Sequence, residues 1–260
     1  MKNIGFIGMG NMARAIARGF ISGKAVEAAN LYAFDPLYDS MKEFTDSMGM
    51  HACKTMDEML AAVDTVIVAV KPHIVESALL PIRDQLKGRA LLSIAAGWNF
   101  DRYAAILGDD VRIQAIMPNT PCSIGEGMLL FEEKNSLTDE ECKEALSMFC
   151  ELGEVQIMPS HLMTAAMAIS GCGPAYMAMV IEALADAGVK YGLPRHTAYL
   201  LASQTMVGTG RMQIETGKHP GVIKDEVCSP AGTTIRGVEA LEENGLRKAM
   251  MAAVKVVCEK

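Results

Sequence analysis

The sequence predicts an α/β protein whose N-terminal domain contains a parallel sheet and whose C-terminal domain is all-helical. Short, continuously apolar strand patterns alternate with helical patterns over residues 1–159. This alternation is typical of a parallel sheet that is covered on both faces. Strand patterns stop near Pro159, and long apolar helical patterns fill residues 160–260. We therefore predict a domain boundary at 159/160.

The elements of the first domain follow from apolar runs and the turn residues between them. A helical pattern follows the first strand, and a second helix is predicted over residues 40–48. Thr138 and Glu141 have the spacing of a capping box and predict the start of a third helix. Strands are predicted over residues 3–7, 31–34, 65–70, 90–94, 112–117 and 154–158.

The helices of the second domain are set by prolines and glycines. Pro174 is expected in the first turn of a helix over residues 175–191, because proline fits a helix start. Gly192 and Pro194 separate this helix from a second over residues 195–216, which Gly217 ends. Two further helices are predicted over residues 233–243 and 246–258.

Composition excludes several classes of protein. The chain has 260 residues, half of them hydrophobic, and a formal net charge of −7. This charge and the lack of a basic run argue against nucleic-acid binding. No apolar stretch is expected to reach the length of a membrane span. The seven cysteines and five histidines lack metal-ligand spacing, so we expect no metal site, no disulfide framework and a cytoplasmic location.

The first strand leads directly into a glycine-rich turn, Gly8-Met9-Gly10-Asn11-Met12-Ala13. Gly8 permits a tight turn, Gly10 lets the backbone approach a pyrophosphate, and Ala13 lets helix and strand pack closely. The N-terminus of the following helix favours negative charge. The pattern therefore predicts a Rossmann-like dinucleotide-binding domain.

Polar and small residues follow several other strands, where an extended nucleotide would lie. Asp35 can accept hydrogen bonds from both hydroxyls of an adenosine ribose and repel a 2′-phosphate, which favours NADH. Lys71-Pro72 follows the strand over residues 65–70, although an ordinary solvated lysine remains an alternative. Ala95 lies in a small-residue strand end, and Asn119 can offer a donor and an acceptor to a ribose or carboxamide.

A second loop of small residues, residues 228–235, opens a helix near the C-terminus. Pro230 and Gly232 bend the chain among the hydroxyls of Ser229, Thr233 and Thr234. Unpaired backbone N–H groups at such a helix start attract an anion, and the hydroxyls add donors for a small polar substrate. An ordinary helix N-cap is the alternative interpretation.

These segments resemble the Δ1-pyrroline-5-carboxylate reductase family over essentially the full length of the chain. The resemblance lies in residues 7–13, 69–72, 117–121, 173–176 and, most specifically, 225–235. It implies a Rossmann domain followed by a helical domain that intertwines with a partner subunit, and association that can extend to a ring of five dimers. It also implies reduction of a cyclic imine to L-proline by NADPH, with NADH as an alternative donor. Cys172 stands where serine is usual, and Ala231 stands where glycine is usual.

The sequence patterns and the resemblance together assign roles to residues of both domains. Thr234 matches a threonine near the imine nitrogen and is the expected catalytic residue. Substrate binding is expected from Pro174, Ser229, Gly232, Thr233 and Thr234. Cofactor binding is expected from Gly8, Gly10, Asn11, Met12, Asp35, Val70, Lys71, Pro72, Ala95 and Asn119.

Two other functions are weighed against this one. The β-hydroxyacid dehydrogenases share a glycine-rich N-terminus and a helical second domain, but place a catalytic lysine shortly after a glycine-rich segment. Here the first lysine after Gly171 is Lys190. A non-catalytic nucleotide-binding module is the second alternative, and it would not need the loop over residues 229–234.

Overall fold

Within residues 1–259, which the computed structural model describes, eight strands form one sheet. They lie in the order β3-β2-β1-β4-β5-β6-β7-β8. Strands β1 to β6 are mutually parallel, and the sequence predicted this arrangement and each of these strands except β3. Strands are added outward from β1 to β3 on one side and from β4 onward on the other, so the strand order reverses between β1 and β4, as in doubly wound sheets. The strands are β1 (Ile4–Ile7), β2 (Leu31–Phe34), β3 (His51–Ala52), β4 (Thr65–Val68), β5 (Ala90–Ser93), β6 (Arg112–Met117), β7 (Gly127–Glu132) and β8 (Gly153–Met158).

The seventh strand departs from the predicted parallel pattern. β7 runs antiparallel to β6, with Ile116 opposite Phe131 and Met117 opposite Leu130. Residues 118–126 join the two strands and are too few for the crossover that a parallel pair needs. β8 is parallel to β7 because a complete helix connects them. The sheet is therefore mixed at this edge.

Helices cover both faces of the sheet in the first unit, Met1–Cys172. On one face α1, α2 and α7 bury residues such as Phe20, Phe44 and Phe149, and the ring of Phe149 meets that of Phe20 edge to face at 5.2 Å. On the other face α3 to α6 bury residues such as Leu79 and Tyr103. These helices are α1 (Asn11–Ser22), α2 (Tyr38–Met48), α3 (Met56–Ala62), α4 (Val75–Leu79), α5 (Arg83–Leu86), α6 (Phe100–Leu107) and α7 (Asp139–Cys150).

The two units meet in sequence between Cys172 and Gly173, later than the predicted domain boundary. The difference arises because a further helix, α8 (Met163–Ser170), packs against β7 in the first unit. The boundary at 159/160 stays a prediction about where the functional domains divide.

The described part of the second unit is all-helical, as predicted. Its first two helices pack against each other, and Gly188 lies close to the second helix, because a Cβ there would lie 3.4 Å from Ala198 Cβ. Gly217 ends the second helix in a left-handed conformation. The third helix was missed by the sequence pattern. The helices are α9 (Gly173–Lys190), α10 (Arg195–Thr216), α11 (Pro220–Val227), α12 (Thr233–Glu243) and α13 (Leu246–Cys258).

One expectation about apolar segments is wrong. The segment Ser160–Lys190 is apolar enough, by length and composition alone, to cross a membrane. It was overlooked because glycine, proline and serine interrupt its large apolar residues without adding charge. Only 6% of its most apolar window is buried within the single chain. Apolar surface of this extent usually marks an interaction site.

Candidate functional site

The turn between β1 and α1 has the geometry that a pyrophosphate requires. Gly8 has a φ of +93°, and a Cβ there would lie 2.9 Å from Val70 Cγ1. Gly10 is the N-cap of α1, and no heavy atom lies within 4 Å of where its Cβ would be. The N–H groups of Asn11 and Met12 stand in the first turn, where an α-helix supplies no partner. Open space above free N–H groups fits a bound anion.

Asp35 is tied to this turn by its carboxylate. Oδ2 accepts the Met9 N–H at 2.8 Å, and Oδ1 accepts the Leu37 N–H at 2.8 Å. Both oxygens retain lone pairs that a ribose hydroxyl could use. The side chain is half-buried next to the glycine-rich turn, which is the place expected for a group that contacts an adenosine ribose.

Arg14 is a neighbouring group that sequence reasoning missed. Its Nε donates to the Met9 carbonyl at 3.0 Å, and its Nη2 donates to the Ser40 carbonyl and hydroxyl at 2.9 Å each. The Arg14 guanidinium therefore bridges the glycine-rich turn and Ser40, which lies five residues after Asp35. The signal was present in the sequence, because Arg14 stands in the first turn of the helix that opens at the glycine-rich turn.

The loops after β4 and β5 are joined by Trp98. Its Nε1 donates to the Pro72 carbonyl at 2.8 Å. Val70 is half-buried beside Gly8, whereas Lys71 is exposed and forms no ion pair within residues 1–259. The two loops therefore support each other at the carboxyl edge of the sheet.

Ala95 is positioned by a buried pair of hydroxyls. Ser93 Oγ accepts the Ala95 N–H at 3.2 Å and lies 2.5 Å from Tyr103 Oη. Burial raises the pKa of Tyr103 far above its usual range, although the bond to Ser93 opposes this. The phenol therefore stays neutral and helps to hold the strand end through Ser93.

Asn119 uses its side chain within the protein. Its Oδ1 accepts the Met128 N–H at 2.9 Å, and its Nδ2 donates to the Ser170 carbonyl at 2.9 Å. The residue is 8% exposed. The amide thus fastens the loop after β6 to β7 and α8, and one N–H remains for a ligand. Its contact with a cofactor stays a prediction.

The C-terminal loop opens α12 without a side-chain cap. Gly232 is the N-cap residue, and its own N–H donates to the Ser229 carbonyl at 3.0 Å. The hydroxyls of Thr233 and Thr234 are exposed and form no hydrogen bond among the described residues. The ordinary capping role weighed for this loop is therefore not the arrangement in the structure. Free N–H groups and free hydroxyls are what an anionic substrate could use.

Two loop residues restrict the backbone. Ala231 has a φ of +60°, in the left-handed region that favours glycine. A Cβ on Gly232 would clash with Ser229 Oγ and lie 3.0 Å from the Ser229 carbonyl oxygen. Pro174 belongs to the same unit and lies half-buried in the first turn of α9.

The structure thus brings Gly8, Asp35 and Val70 together at the β1–α1 turn. A second group, formed by the loops of Pro72 and Ala95, lies along the same carboxyl edge. The loop over residues 229–234 belongs to the other unit, and its substrate roles remain predictions.

Two family models match the chain. A model described as pyrroline-5-carboxylate reductase dimerisation matches residues 160–260. A model described as NADP oxidoreductase, coenzyme F420-dependent, matches residues 3–97.

Named relatives match along nearly the whole chain. The pyrroline-5-carboxylate reductase of Escherichia coli is 39% identical over 100% of this chain and 97% of its own length. That of Treponema pallidum is 38% identical over 97% of both chains. The crystal structure of Plasmodium falciparum pyrroline carboxylate reductase with NADP bound is 33% identical, with a TM-score of 0.90 over 99% of this chain and 95% of that chain.

The β-hydroxyacid dehydrogenase alternative receives less support. The 3-hydroxyisobutyrate dehydrogenase of Mycobacterium tuberculosis is 12% identical, with a TM-score of 0.53 over 75% of this chain and 67% of that chain. At this identity the likeness shows a common fold alone. Full-length identity of 38–39% to named reductases shows that the chain belongs to the pyrroline-5-carboxylate reductase family of NAD(P)H-dependent oxidoreductases.

Proposed function

We propose that this chain reduces the cyclic imine 1-pyrroline-5-carboxylate to L-proline, the last step of proline biosynthesis. One observation carries the proposal: a glycine-rich turn that fits a pyrophosphate and a separate loop with free N–H groups and hydroxyls occur in one chain. The first suits a dinucleotide and the second suits a small carboxylate. The family membership supports the same pairing.

The first unit would hold the cofactor. The N–H groups at the start of α1, near Gly10, Asn11 and Met12, would bind the pyrophosphate, and Asp35 would contact the adenosine ribose. Val70, Lys71, Pro72, Ala95 and Asn119 would border the rest of the molecule at the carboxyl edge of the sheet. When bound, the reduced nicotinamide supplies a hydride.

The loop over residues 229–234 would hold the substrate. Backbone N–H groups near Gly232 and Thr233 would bind its carboxylate, with Ser229 and Pro174 as further contacts. The Thr234 hydroxyl would hydrogen-bond to the ring nitrogen. As the C=N carbon receives the hydride, that nitrogen becomes an amine, and a hydroxyl can remain its partner throughout. A protonated imine is already a good electrophile, so positioning is the main task.

The proposed reaction is tested by following nicotinamide absorbance with the purified chain. We expect oxidation of NADPH and NADH that depends on pyrroline-5-carboxylate, with L-proline as product. Turnover of a 3-hydroxy acid without turnover of the imine would favour the dehydrogenase alternative. Cofactor binding with neither reaction would favour a nucleotide-binding module.

The proposed assembly is an intertwined homodimer, which can associate further into a ring of five dimers, in the cytoplasm. The apolar segment Ser160–Lys190 lies within the region that the dimerisation model matches. A second subunit would cover its exposed apolar side chains, such as Ile169, Met179 and Leu184, so that no membrane is needed to bury them. We expect no nucleic-acid partner, because the net charge of −7 would repel the phosphate backbone.

A further inference from the structure

A cavity of about 460 Å³ lies within the first unit, between α6, β6, β7 and α8. Its wall includes Trp98, Arg102, Glu132, Met163 and Met167. Ala95 also borders it, so the cavity adjoins one of the strand ends expected to contact the cofactor. Cavities of this size, mostly apolar with a few polar groups, are typical of small-molecule sites.

Glu132 contributes a buried carboxylate that is only partly satisfied. The residue is 2% exposed, and its Oε2 accepts the Phe100 N–H at 2.7 Å. Its Oε1 is buried without a hydrogen-bond partner. Glu132 forms no ion pair among residues 1–259. A buried carboxylate oxygen without a partner is costly, so a donor supplied by a ligand would be favoured.

The cationic side chain on the cavity wall is already engaged. The Arg102 guanidinium lies over the Trp98 ring at 4.3 Å from its centroid, and its Nη1 donates to the Gly97 carbonyl at 2.8 Å. The remaining wall offers the indole of Trp98 and the thioethers of Met163 and Met167. Methionine changes rotamer easily, so this wall can adjust its shape to a ligand.

We propose that this cavity binds a small organic ammonium compound with an apolar or aromatic body. The ammonium group would donate to Oε1 of Glu132, and the body would lie between Trp98 and the two methionines. The proposal goes beyond the imine reduction and does not depend on it. A bound ligand would lie beside the strand end of Ala95 and could alter cofactor binding there.

The site can be tested directly because Trp98 is the only tryptophan of the chain. We would titrate the purified, cofactor-free protein with 2-phenylethylammonium and follow tryptophan fluorescence. The matched neutral probe is 2-phenylethanol, which has the same shape without the charge. We expect saturable binding of the ammonium that is at least about tenfold tighter than that of the alcohol.

Two variants complete the experiment. Glu132→Gln keeps the shape and an acceptor for Phe100, and should weaken the ammonium at least about tenfold while leaving the alcohol unchanged. Ala105→Leu narrows the cavity without touching Glu132, and should weaken both probes; it also serves if Glu132→Gln fails to fold. Equal affinity for the two probes, or no saturable binding, would overturn the proposal. Competitive displacement by NADH or NADPH would also overturn it, because the cavity would then be part of the cofactor site.

Discussion

Ala231 shows how a single residue can hold a loop in an unfavourable conformation. Its φ of +60° crowds the Cβ against the backbone, in the left-handed region that favours glycine. The adjacent position 232 is restricted as well, because a Cβ on Gly232 would clash with Ser229 Oγ. The loop therefore keeps its shape at a local cost.

Ala231→Gly should raise the melting temperature of the protein. Removing the Cβ relieves about 1 kcal/mol of strain or more, and the greater freedom of glycine in the unfolded chain offsets only part of it. The matched control is Ala240→Gly in the exposed interior of α12, which should lower stability by about 1 kcal/mol. The test compares the melting temperatures of both variants with that of the wild type at one protein concentration. If Ala231→Gly lowered the melting temperature as much as the control does, the strain argument would be contradicted.

Thr234 is expected to act in the chemical step. Because Gly232 caps α12 without a side-chain bond, Thr234→Ala should leave the melting temperature nearly unchanged. We expect kcat to fall by about 10- to 100-fold, the lower end for a positioned hydroxyl, since the imine arrives already protonated. Thr234→Ser should recover most of the rate, and Thr233→Ala should do less damage. A normal kcat for Thr234→Ala with an impaired melting temperature would assign the residue a structural role only.

Asp35 is expected to bias cofactor choice. The carboxylate repels a 2′-phosphate, whereas Arg14 nearby can attract one, so both NADH and NADPH should be used. Asp35→Ala should shift the ratio of kcat/KM values toward NADPH, but it also removes the bonds to Met9 and Leu37. Asp35→Asn is the sharper variant, since it removes the charge and keeps the shape. An increase of about tenfold in the NADPH/NADH ratio is expected, and an unchanged ratio would mean that Asp35 does not face the ribose.

At the scale of elements, capping and breaking residues predicted helix positions well. The helices α10, α12 and α13 and the strand β6 have the predicted bounds. Gly217 ends α10, and the capping box of Thr138 and Glu141 starts α7 where it was predicted, because each determines where a helix ends or starts. Apolar runs predicted strand ends less well. The predicted strand over residues 65–70 is longer than β4, which ends at Val68. The apolar run continues beyond the strand because Val70 packs beside Gly8.

The elements that were missed, and part of the site, depend on tertiary partners. β7 is defined by its pairing with β6 and β8. The prediction relied on strands that alternate with helices, and residues 118–126 before β7 have no helical pattern. Likewise the sequence identified Asn119 as a polar strand-end residue, but could not reveal that its amide bonds to Met128 and Ser170. A sequence shows which residues could take part in chemistry. Their hydrogen-bond partners become known only from the folded structure.

The start of α7 offers a test of an element's electrostatics. Arg112 donates to both carboxylate oxygens of Glu141, and these bonds lower the pKa of Glu141. A lowered pKa contributes stability that is complete above the usual glutamate range, roughly pH 4–5, and is lost as the pH falls through the lowered value. Glu141→Gln should therefore cost about 1 kcal/mol near neutral pH and much less in acid.

Glu140→Gln is the control for this prediction. Glu140 is exposed in the same first helical turn and shares the helix dipole, but not the bond to Arg112. Urea unfolding at neutral and acidic pH should show the larger and pH-dependent loss only for Glu141→Gln. Equal losses for the two variants would attribute the effect to the dipole instead.

At the scale of the whole molecule, the two units differ in how completely they bury their apolar residues. The first has a continuous core on each face of its sheet. The second exposes large apolar side chains along α9 and α10, including Met179, Leu200 and Ile214. Helices that are apolar on nearly every side are usually buried on every side. We therefore predict that a partner surface covers these faces, and the match of residues 160–260 to a dimerisation model supports a second copy of this chain as that partner.

The wild-type protein should accordingly be a dimer or a multiple of dimers by light scattering. Leu200→Asp places a charge on α10 where the side chain is 58% exposed in the single chain, and should shift the protein toward monomer or prevent its folding. Ile124→Asp is the control, since Ile124 is 76% exposed in the first unit and lies outside residues 160–260, which the dimerisation model matches. That variant should keep the wild-type mass and activity. A folded, active wild-type monomer would contradict the prediction, because the exposed faces of α9 and α10 would then be stable in water without a second subunit.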